Sequence, residues 1–106
     1  MSKIIGRFYF QIDDGGNLSG TFSTNLHSTN YSEQALRISG IGFIGQFKST
    51  WTDNLGNGEA NLEISLKQNS QDIYTLVWTN ESTQFFGEGI LVDNTLIGDY
   101  RNFSQI

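Results

Sequence analysis

The feature that most constrains this chain is an alternation of apolar and polar residues with a period of two. It recurs from one end of the sequence to the other and is unbroken in residues 60–67. The apolar positions there are Ala60, Leu62, Ile64 and Leu66. Apolar residues at helical spacing are hard to find. The pattern therefore predicts strands with one buried and one solvent-facing side.

Eight segments show this alternation, and turn-forming residues separate them. The predicted strands are residues 3–12, 18–25, 36–41, 43–52, 60–67, 73–79, 84–92 and 95–103. Clusters of Asn, Asp, Gly and Ser predict tight turns at residues 13–17, 56–58, 69–71, 80–82 and 93–94. The count falls to seven if residues 40–42 form a bulge rather than a turn. Short connections make consecutive strands antiparallel neighbours, so we expect an all-β, up-and-down meander that closes into a small barrel.

Only the connection at residues 27–34 is long enough to do more than reverse the chain. Its Ser, Thr, Asn and Tyr residues are typical of an exposed flap. Within it lie His27, which we expect to be a solvated loop residue, and Tyr31, a candidate ligand contact.

Length and composition indicate one domain covering residues 1–106. A chain of 106 residues forms one modest core, and eight Phe, four Tyr and two Trp can supply its large side chains. The chain has no Cys, which excludes disulfides and thiolate metal sites. Its beginning shows no apolar signal segment, so a cytoplasmic location is expected.

Charge argues against two classes of partner. The formal net charge is −5, and Lys and Arg do not cluster anywhere in the sequence. A surface that binds phosphate groups needs such a cluster, so nucleic acids and anionic membranes are not expected partners. The single basic residues Arg37 and Arg101 alternate with apolar neighbours and are expected to point outward.

A five-residue pattern places an apolar residue, a Gly and an aromatic residue at alternate positions. It is found at Ile4-Gly6-Phe8, Leu18-Gly20-Phe22, Phe43-Gly45-Phe47 and Leu96-Gly98-Tyr100. Gly permits strong bending of a strand, and a neighbouring aromatic ring can cover the missing side chain. The pattern favours a tightly curved barrel wall, and the alternative is that the glycines open space for a ligand.

Residues 16–23 (GNLSGTFS) and 45–51 (GQFKSTW) resemble the early strands of the avidin and streptavidin family. The whole chain resembles the calycin group of eight-stranded barrels. Residues 86–92, leading to 96–100, are similar to small bacterial proteins of unknown function with such barrels. The resemblance implies an interior ligand site near one barrel mouth.

The resemblance does not imply biotin as the ligand. Avidins place a Tyr hydroxyl on the ureido oxygen of biotin from the position that Phe22 occupies, and Phe22 has no hydroxyl. Thr24 could supply the small hydroxyl found two residues later. The Trp-x-Asn segment that carries other biotin contacts is replaced by residues 7–10 (RFYF).

Further candidate ligand contacts come from the aromatic residues and one acid. Trp51, Trp78 and Tyr100 lie on aromatic-rich faces, where they either cap the core or line a pocket. Glu88 alternates with Phe86 and Ile90. It is buried, with a raised pKa, if that face points inward, and solvated if the opposite face does. An eight-stranded barrel can be filled or can hold one small ligand, and the sequence leaves both open.

Metal, cofactor and catalytic sites are not expected. His27 is the only His, so no His cluster can form. Residues 53–59 are similar to a calcium loop but have Leu55 and Ile64 where oxygen ligands are required, so a hairpin turn is the better interpretation. No acid–base set converges.

Several C-terminal strands are apolar on both faces, for example Ile73 and Val77 opposite Tyr74, Leu76 and Trp78. A barrel interior accounts for one of those faces. The other predicts a homo-oligomer formed through the C-terminal strands. The leading hypothesis is therefore a non-enzymatic barrel that binds a small, partly apolar ligand. The alternatives are an oligomeric structural or protein-interaction module with a filled core, and an enzyme of unknown reaction.

Overall fold

The computed structural model describes residues 3–53 and 56–102, and at residues 27 and 28 it describes the backbone alone. These residues form eight strands: β1 (Ile5–Ile12), β2 (Leu18–Thr24), β3 (His27–Ile41), β4 (Ile44–Asp53), β5 (Gly56–Leu66), β6 (Ile73–Thr79), β7 (Gln84–Val92) and β8 (Thr95–Asn102). Each strand pairs antiparallel with the next, and β8 pairs with β1. The predicted all-β, up-and-down barrel is confirmed.

Because successive side chains of a strand point to opposite faces, every second residue of each strand points into the barrel. Buried apolar residues from seven of the eight strands and from the β3–β4 turn form one core. Its apolar members with at most 1% exposure are Phe10, Leu18, Ala35, Phe47, Leu62, Ile64, Leu76 and Leu96. These side chains fill the half of the barrel next to the β1–β2, β3–β4, β5–β6 and β7–β8 turns, which we call the closed end.

The closed end is sealed by Arg37, which does not point outward as predicted. Its Nε donates a hydrogen bond to the Gly16 carbonyl oxygen at 2.9 Å, and its guanidinium also donates to the carbonyl oxygens of Ser39 and Gly42. The guanidinium carbon lies 4.8 Å from the centre of the Phe47 ring. The register of β3 shifts between Arg37 and Ser39, and the sequence pattern gave no sign of this irregularity.

The glycines of the repeated pattern allow neighbouring strands to approach closely. A Cβ on Gly20 would overlap the Tyr9 carbonyl oxygen, and one on Gly98 would overlap the Glu88 carbonyl oxygen. A Cβ on Gly6 would lie 2.6 Å from the Tyr100 ring. The structural interpretation of the pattern therefore holds, and Gly6 in addition makes room for an aromatic ring.

The prediction of a flap at residues 27–34 is wrong, because these residues form the first half of β3. The chain reverses at Asn25 and Leu26 instead. Within this half the inward positions include Glu33, which is buried, while Ser32 and Gln34 are exposed. A charged residue at an inward position hides the apolar-polar alternation, which is why the pattern missed the strand.

Smaller differences concern the ends of elements. The turn predicted at residues 56–58 lies within β5, and residues 54 and 55 lie outside the described residues. The N-terminal residues Met1 and Ser2 and the predicted strand residue Phe103 also lie outside them. Residues 42 and 43 form a turn between two separate strands, so the count is eight rather than seven.

Candidate functional site

A cavity of about 230 Å³ lies inside the barrel at the end opposite Arg37, which we call the mouth. The β2–β3 and β6–β7 turns and the adjoining ends of β4 and β5 surround this end. The cavity is lined by Ile4, Phe8, Phe22, Thr24, Glu33, Trp51, Asp53, Trp78, Asn80, Thr83, Phe85 and Tyr100. The barrel is therefore filled at one end and open at the other.

Aromatic residues make up half of the cavity lining. The Tyr100 ring centre lies 5.8 Å from that of Trp78, 5.8 Å from that of Phe85 and 6.4 Å from that of Phe22. Phe22 in turn meets Trp51 edge to face at 6.2 Å. Rings that contact one another at these distances restrict each other's movement, and the ring surfaces that remain uncovered face the cavity.

Neighbouring glycines position two of these rings. Trp51 pairs across the sheet with Gly58, and a Cβ on Gly58 would collide with the Trp51 indole. Gly87 lies next to Phe8 and Trp78. A Cβ added to Gly87 would lie 3.1 Å from the nearest atom of the Trp78 indole. Each of these rings therefore packs against a glycine, where a larger residue would displace it.

The carboxyl group of Glu33 belongs to the inner part of the cavity and is only 4% exposed. Its Oε2 accepts a hydrogen bond from the Trp78 Nε1–H at 2.8 Å and another from the Ser49 hydroxyl. Ser49 is itself fully buried on β4. Both donors serve the same oxygen, so Oε1 is the oxygen available to a molecule in the cavity.

Burial raises the pKa of Glu33 to about 7, against the opposing effect of the Ser49 and Trp78 hydrogen bonds. The pKa of Tyr100 is also raised, first by burial and second by the charge of Glu33. The Tyr100 hydroxyl donates a hydrogen bond to the Ser23 carbonyl oxygen at 2.8 Å. At neutral pH the cavity therefore contains a neutral phenol and a carboxyl group near its point of half-ionisation.

The rim of the mouth is polar. Thr24 Oγ1 accepts the backbone N–H of Leu26 at 2.9 Å, and Asn80 Oδ1 accepts the backbone N–H of Thr83 at 3.0 Å. These hydrogen bonds stabilise the β2–β3 and β6–β7 turns. Asp53, at the rim, is the second carboxyl-bearing residue that lines the cavity. None of the described side chains that line the cavity is Lys or Arg.

Five of the seven residues predicted from the sequence come together here: Phe22, Thr24, Trp51, Trp78 and Tyr100. Tyr31 does not line this cavity and packs against Phe22 with ring centres 5.5 Å apart. Glu88 lies on the outer surface, where it forms an ion pair with Lys67 at 2.9 Å. Of the two alternatives for Glu88, the solvated one is correct, because the face of β7 that carries Gly87 and Gly89 points into the barrel.

Sequence reasoning missed Glu33, Phe8, Phe85 and Asp53. The signal for Glu33 was its position two residues before Ala35, which places both on the same side of a strand. His27 begins β3, and its side chain lies outside the described part of the structure. Within the described ranges, no three His, Cys, Asp or Glu residues are grouped so that they could hold a metal ion.

The described residues contain no helix that is long and apolar enough to cross a membrane. Comparison of the chain with protein-family models, with curated proteins and with solved structures finds no significant match.

Proposed function

We propose that this protein binds a small, largely apolar organic molecule in the mouth cavity. The observation that carries the proposal is an open, aromatic-walled space that contains one buried carboxyl group. Binding sites for small molecules are typically apolar concavities with a few polar groups that fix orientation. The cavity of about 230 Å³ is below the usual size of such sites, which restricts the ligand to a small molecule.

The division of the barrel into two halves supports this proposal over a solid interaction module. At the closed end, Phe10, Phe47 and Leu96 are completely buried and supply the stability of the fold. The mouth contributes less packing, and the charge of Glu33 is costly to bury there. A ligand that contacts the rings and the free carboxyl oxygen would offset part of this cost.

The surroundings of Glu33 favour binding over catalysis. An acid with a pKa near 7 is suited to proton transfer, and such groups are frequent in active sites. The hydrogen-bond partners of Glu33 are Ser49 and Trp78, however, and neither is an acid or base at neutral pH. An eight-stranded antiparallel barrel is also compatible with the resemblance of the sequence to the avidin family, in which the interior holds a ligand.

A fragment screen by nuclear magnetic resonance tests the proposal. Small aromatic compounds should shift the indole N–H resonances of Trp51 and Trp78, the only two Trp residues of the chain. Thr83→Phe places a ring in the mouth and should abolish binding, whereas Thr50→Phe on the exposed outer face of β4 should not. A screen without binders, or binders unaffected by Thr83→Phe, would overturn the proposal.

As a further part of this proposal, a second copy of the chain covers the outer wall formed by the C-terminal strands. Ile90 lies opposite Ile97, and Ile97 lies opposite Tyr9, in one row across β7, β8 and β1. These side chains are 50%, 45% and 42% exposed, respectively. A contiguous apolar row on a sheet surface is typical of an interface.

A further inference from the structure

The cavity combines two features that each attract positive charge. Aromatic rings are negative at their faces, and six of the lining residues are aromatic. Glu33 contributes a buried carboxyl group to the wall, and none of the described lining residues is Lys or Arg. The chain as a whole has a net charge of −5, which strengthens the same preference.

The hydrogen bonds of Glu33 suit an ionised carboxylate. Both Ser49 and Trp78 donate to Oε2, and two donors on one carboxyl oxygen stabilise its negative charge. Burial works in the opposite direction, and no cation within the described wall compensates for the lost water. The missing partner of this carboxylate is a positive charge that enters through the mouth.

We propose that the ligand is a small organic cation, an amine or quaternary ammonium with an apolar body, whose charge lies between the Glu33 carboxylate and the aromatic wall. This inference rests on the proposed function and adds the chemical class of the ligand. Glu33 provides the counter-ion, and rings such as Trp51 and Tyr100 provide cation–π contacts.

Matched probes distinguish charge from shape. Benzyltrimethylammonium carries a permanent positive charge, and 2,2-dimethylpropylbenzene has the same shape without it. Titrations followed by Trp fluorescence should show that the wild type binds the cation about tenfold or more tightly than the neutral isostere. Phenylacetate, an anion of similar size, should bind more weakly than either.

Two variants connect the preference to one residue. Glu33→Gln keeps the shape of the side chain and should remove the preference for the cation while retaining binding of the isostere. Glu88→Gln removes one negative charge from the outer surface and should change neither affinity by more than about twofold, because an exposed charge is screened by salt. It therefore controls for the change in net charge.

The dependence on pH gives a test that requires no variant. A bound cation stabilises ionised Glu33, so affinity for benzyltrimethylammonium should be constant above about pH 7 and fall below it, by up to tenfold per pH unit. At pH 6, binding should release protons, which calorimetry in buffers of different ionisation enthalpy measures. Of the other ionisable lining groups, Tyr100 stays neutral in this range because its pKa is raised. Asp53 is the other acid among the described lining residues.

The outcomes separate this inference from the proposed function. If the isostere binds as tightly as the cation and Thr83→Phe blocks both, the cation inference is overturned and the apolar binding site stands. The same conclusion follows if Glu33→Gln leaves the preference intact. If neither probe binds, while fragments from the screen do, only the ligand class is wrong. If nothing enters the mouth at all, both proposals fail.

Discussion

Trp78 on β6 donates its Nε1–H to Oε2 of Glu33 on β3 at 2.8 Å, across the interior of the barrel. These two strands are not neighbours in the sheet, since β4 and β5 lie between them. The Trp78 ring also meets Phe8 of β1 at 5.5 Å in an edge-to-face contact. One indole therefore ties three separate parts of the wall together and holds the buried acid in place.

Trp78→Phe should destabilise the protein more at high pH than at low pH. The variant removes one of the two donors to Glu33, and a buried carboxylate that loses a hydrogen bond costs about 1–3 kcal/mol. The loss of ring volume adds a cost that does not depend on pH. Urea denaturation at pH 8 and pH 5 separates the pH-dependent cost from the pH-independent cost. Equal losses of stability at both pH values would contradict a role for the hydrogen bond.

Glu33 should make the protein less stable as the pH rises from about 4.5 to about 7. Its pKa is about 7 in the folded state against an ordinary value of 4.5, so the folded state binds this proton more tightly than the unfolded state. The stabilisation is complete below the unfolded pKa and is lost as the pH rises through the folded pKa. It amounts to about 3 kcal/mol at most.

Comparison of wild type with Glu33→Gln isolates this effect from the other acids. As the pH rises from 4.5 to 8, the free energy of unfolding of Glu33→Gln should increase relative to that of wild type. Glu88→Gln, which alters only a surface ion pair, should run parallel to wild type. A parallel curve for Glu33→Gln would mean that folding does not raise the pKa of Glu33.

The fold was predictable because most strands bury one apolar side, as in residues 60–67, and local alternation is enough to reveal that. The aromatic part of the site was predictable for a similar reason, because large rings such as Trp51 and Tyr100 need either a core or a pocket. Glu33 was not, because burial of a charged group depends on Ser49 and Trp78, which are distant in sequence. The same charged residue concealed the first half of β3. Arg37 was missed because its partners are backbone carbonyl oxygens, and one of them, that of Gly16, belongs to a turn that is distant in sequence.

Gly98→Ala should be strongly destabilising, and Gly15→Ala should be tolerated. A Cβ on Gly98 would overlap the Glu88 carbonyl oxygen and meet the Gly89 Cα at 2.7 Å, so β7 and β8 would have to separate. We expect a loss of about 1–3 kcal/mol or more. The nearest atoms to a Cβ on Gly15 are at 3.4 Å, so that change should stay within about 0.5 kcal/mol. Thermal denaturation of both variants provides the comparison, and similar losses would contradict the close approach of β7 and β8.

Biotin should not bind tightly, despite the resemblance to avidins. Phe22 lines the cavity but cannot donate a hydrogen bond, and an unpaired ureido oxygen costs about 1–3 kcal/mol. The acidic groups of the cavity also disfavour the biotin carboxylate. Isothermal titration calorimetry should detect no tight binding, and a sub-micromolar dissociation constant would contradict this.

Self-association through the outer wall should depend on Ile97. This residue lies in the middle of the row formed with Ile90 and Tyr9, and burial of such side chains contributes about 25 cal/mol per Å². The next row on the same face contains Glu88, Asp99 and Arg7 in register, with charges of both signs. Such a row can pair with a copy of itself when two molecules are related by a two-fold axis.

Ile97→Lys places an unpaired charge at the centre of that contact and should convert the dimer into a monomer with an intact fold, because the side chain points away from the core. Ile38→Lys is the matched control, since Ile38 is 63% exposed but lies on β3, outside this wall. Sedimentation equilibrium at tens of micromolar, the range of a modest interface, compares the three proteins. A monomeric wild type would show that the row stays exposed to solvent. If only Ile38→Lys caused dissociation, the interface would lie on the β3 side of the barrel instead.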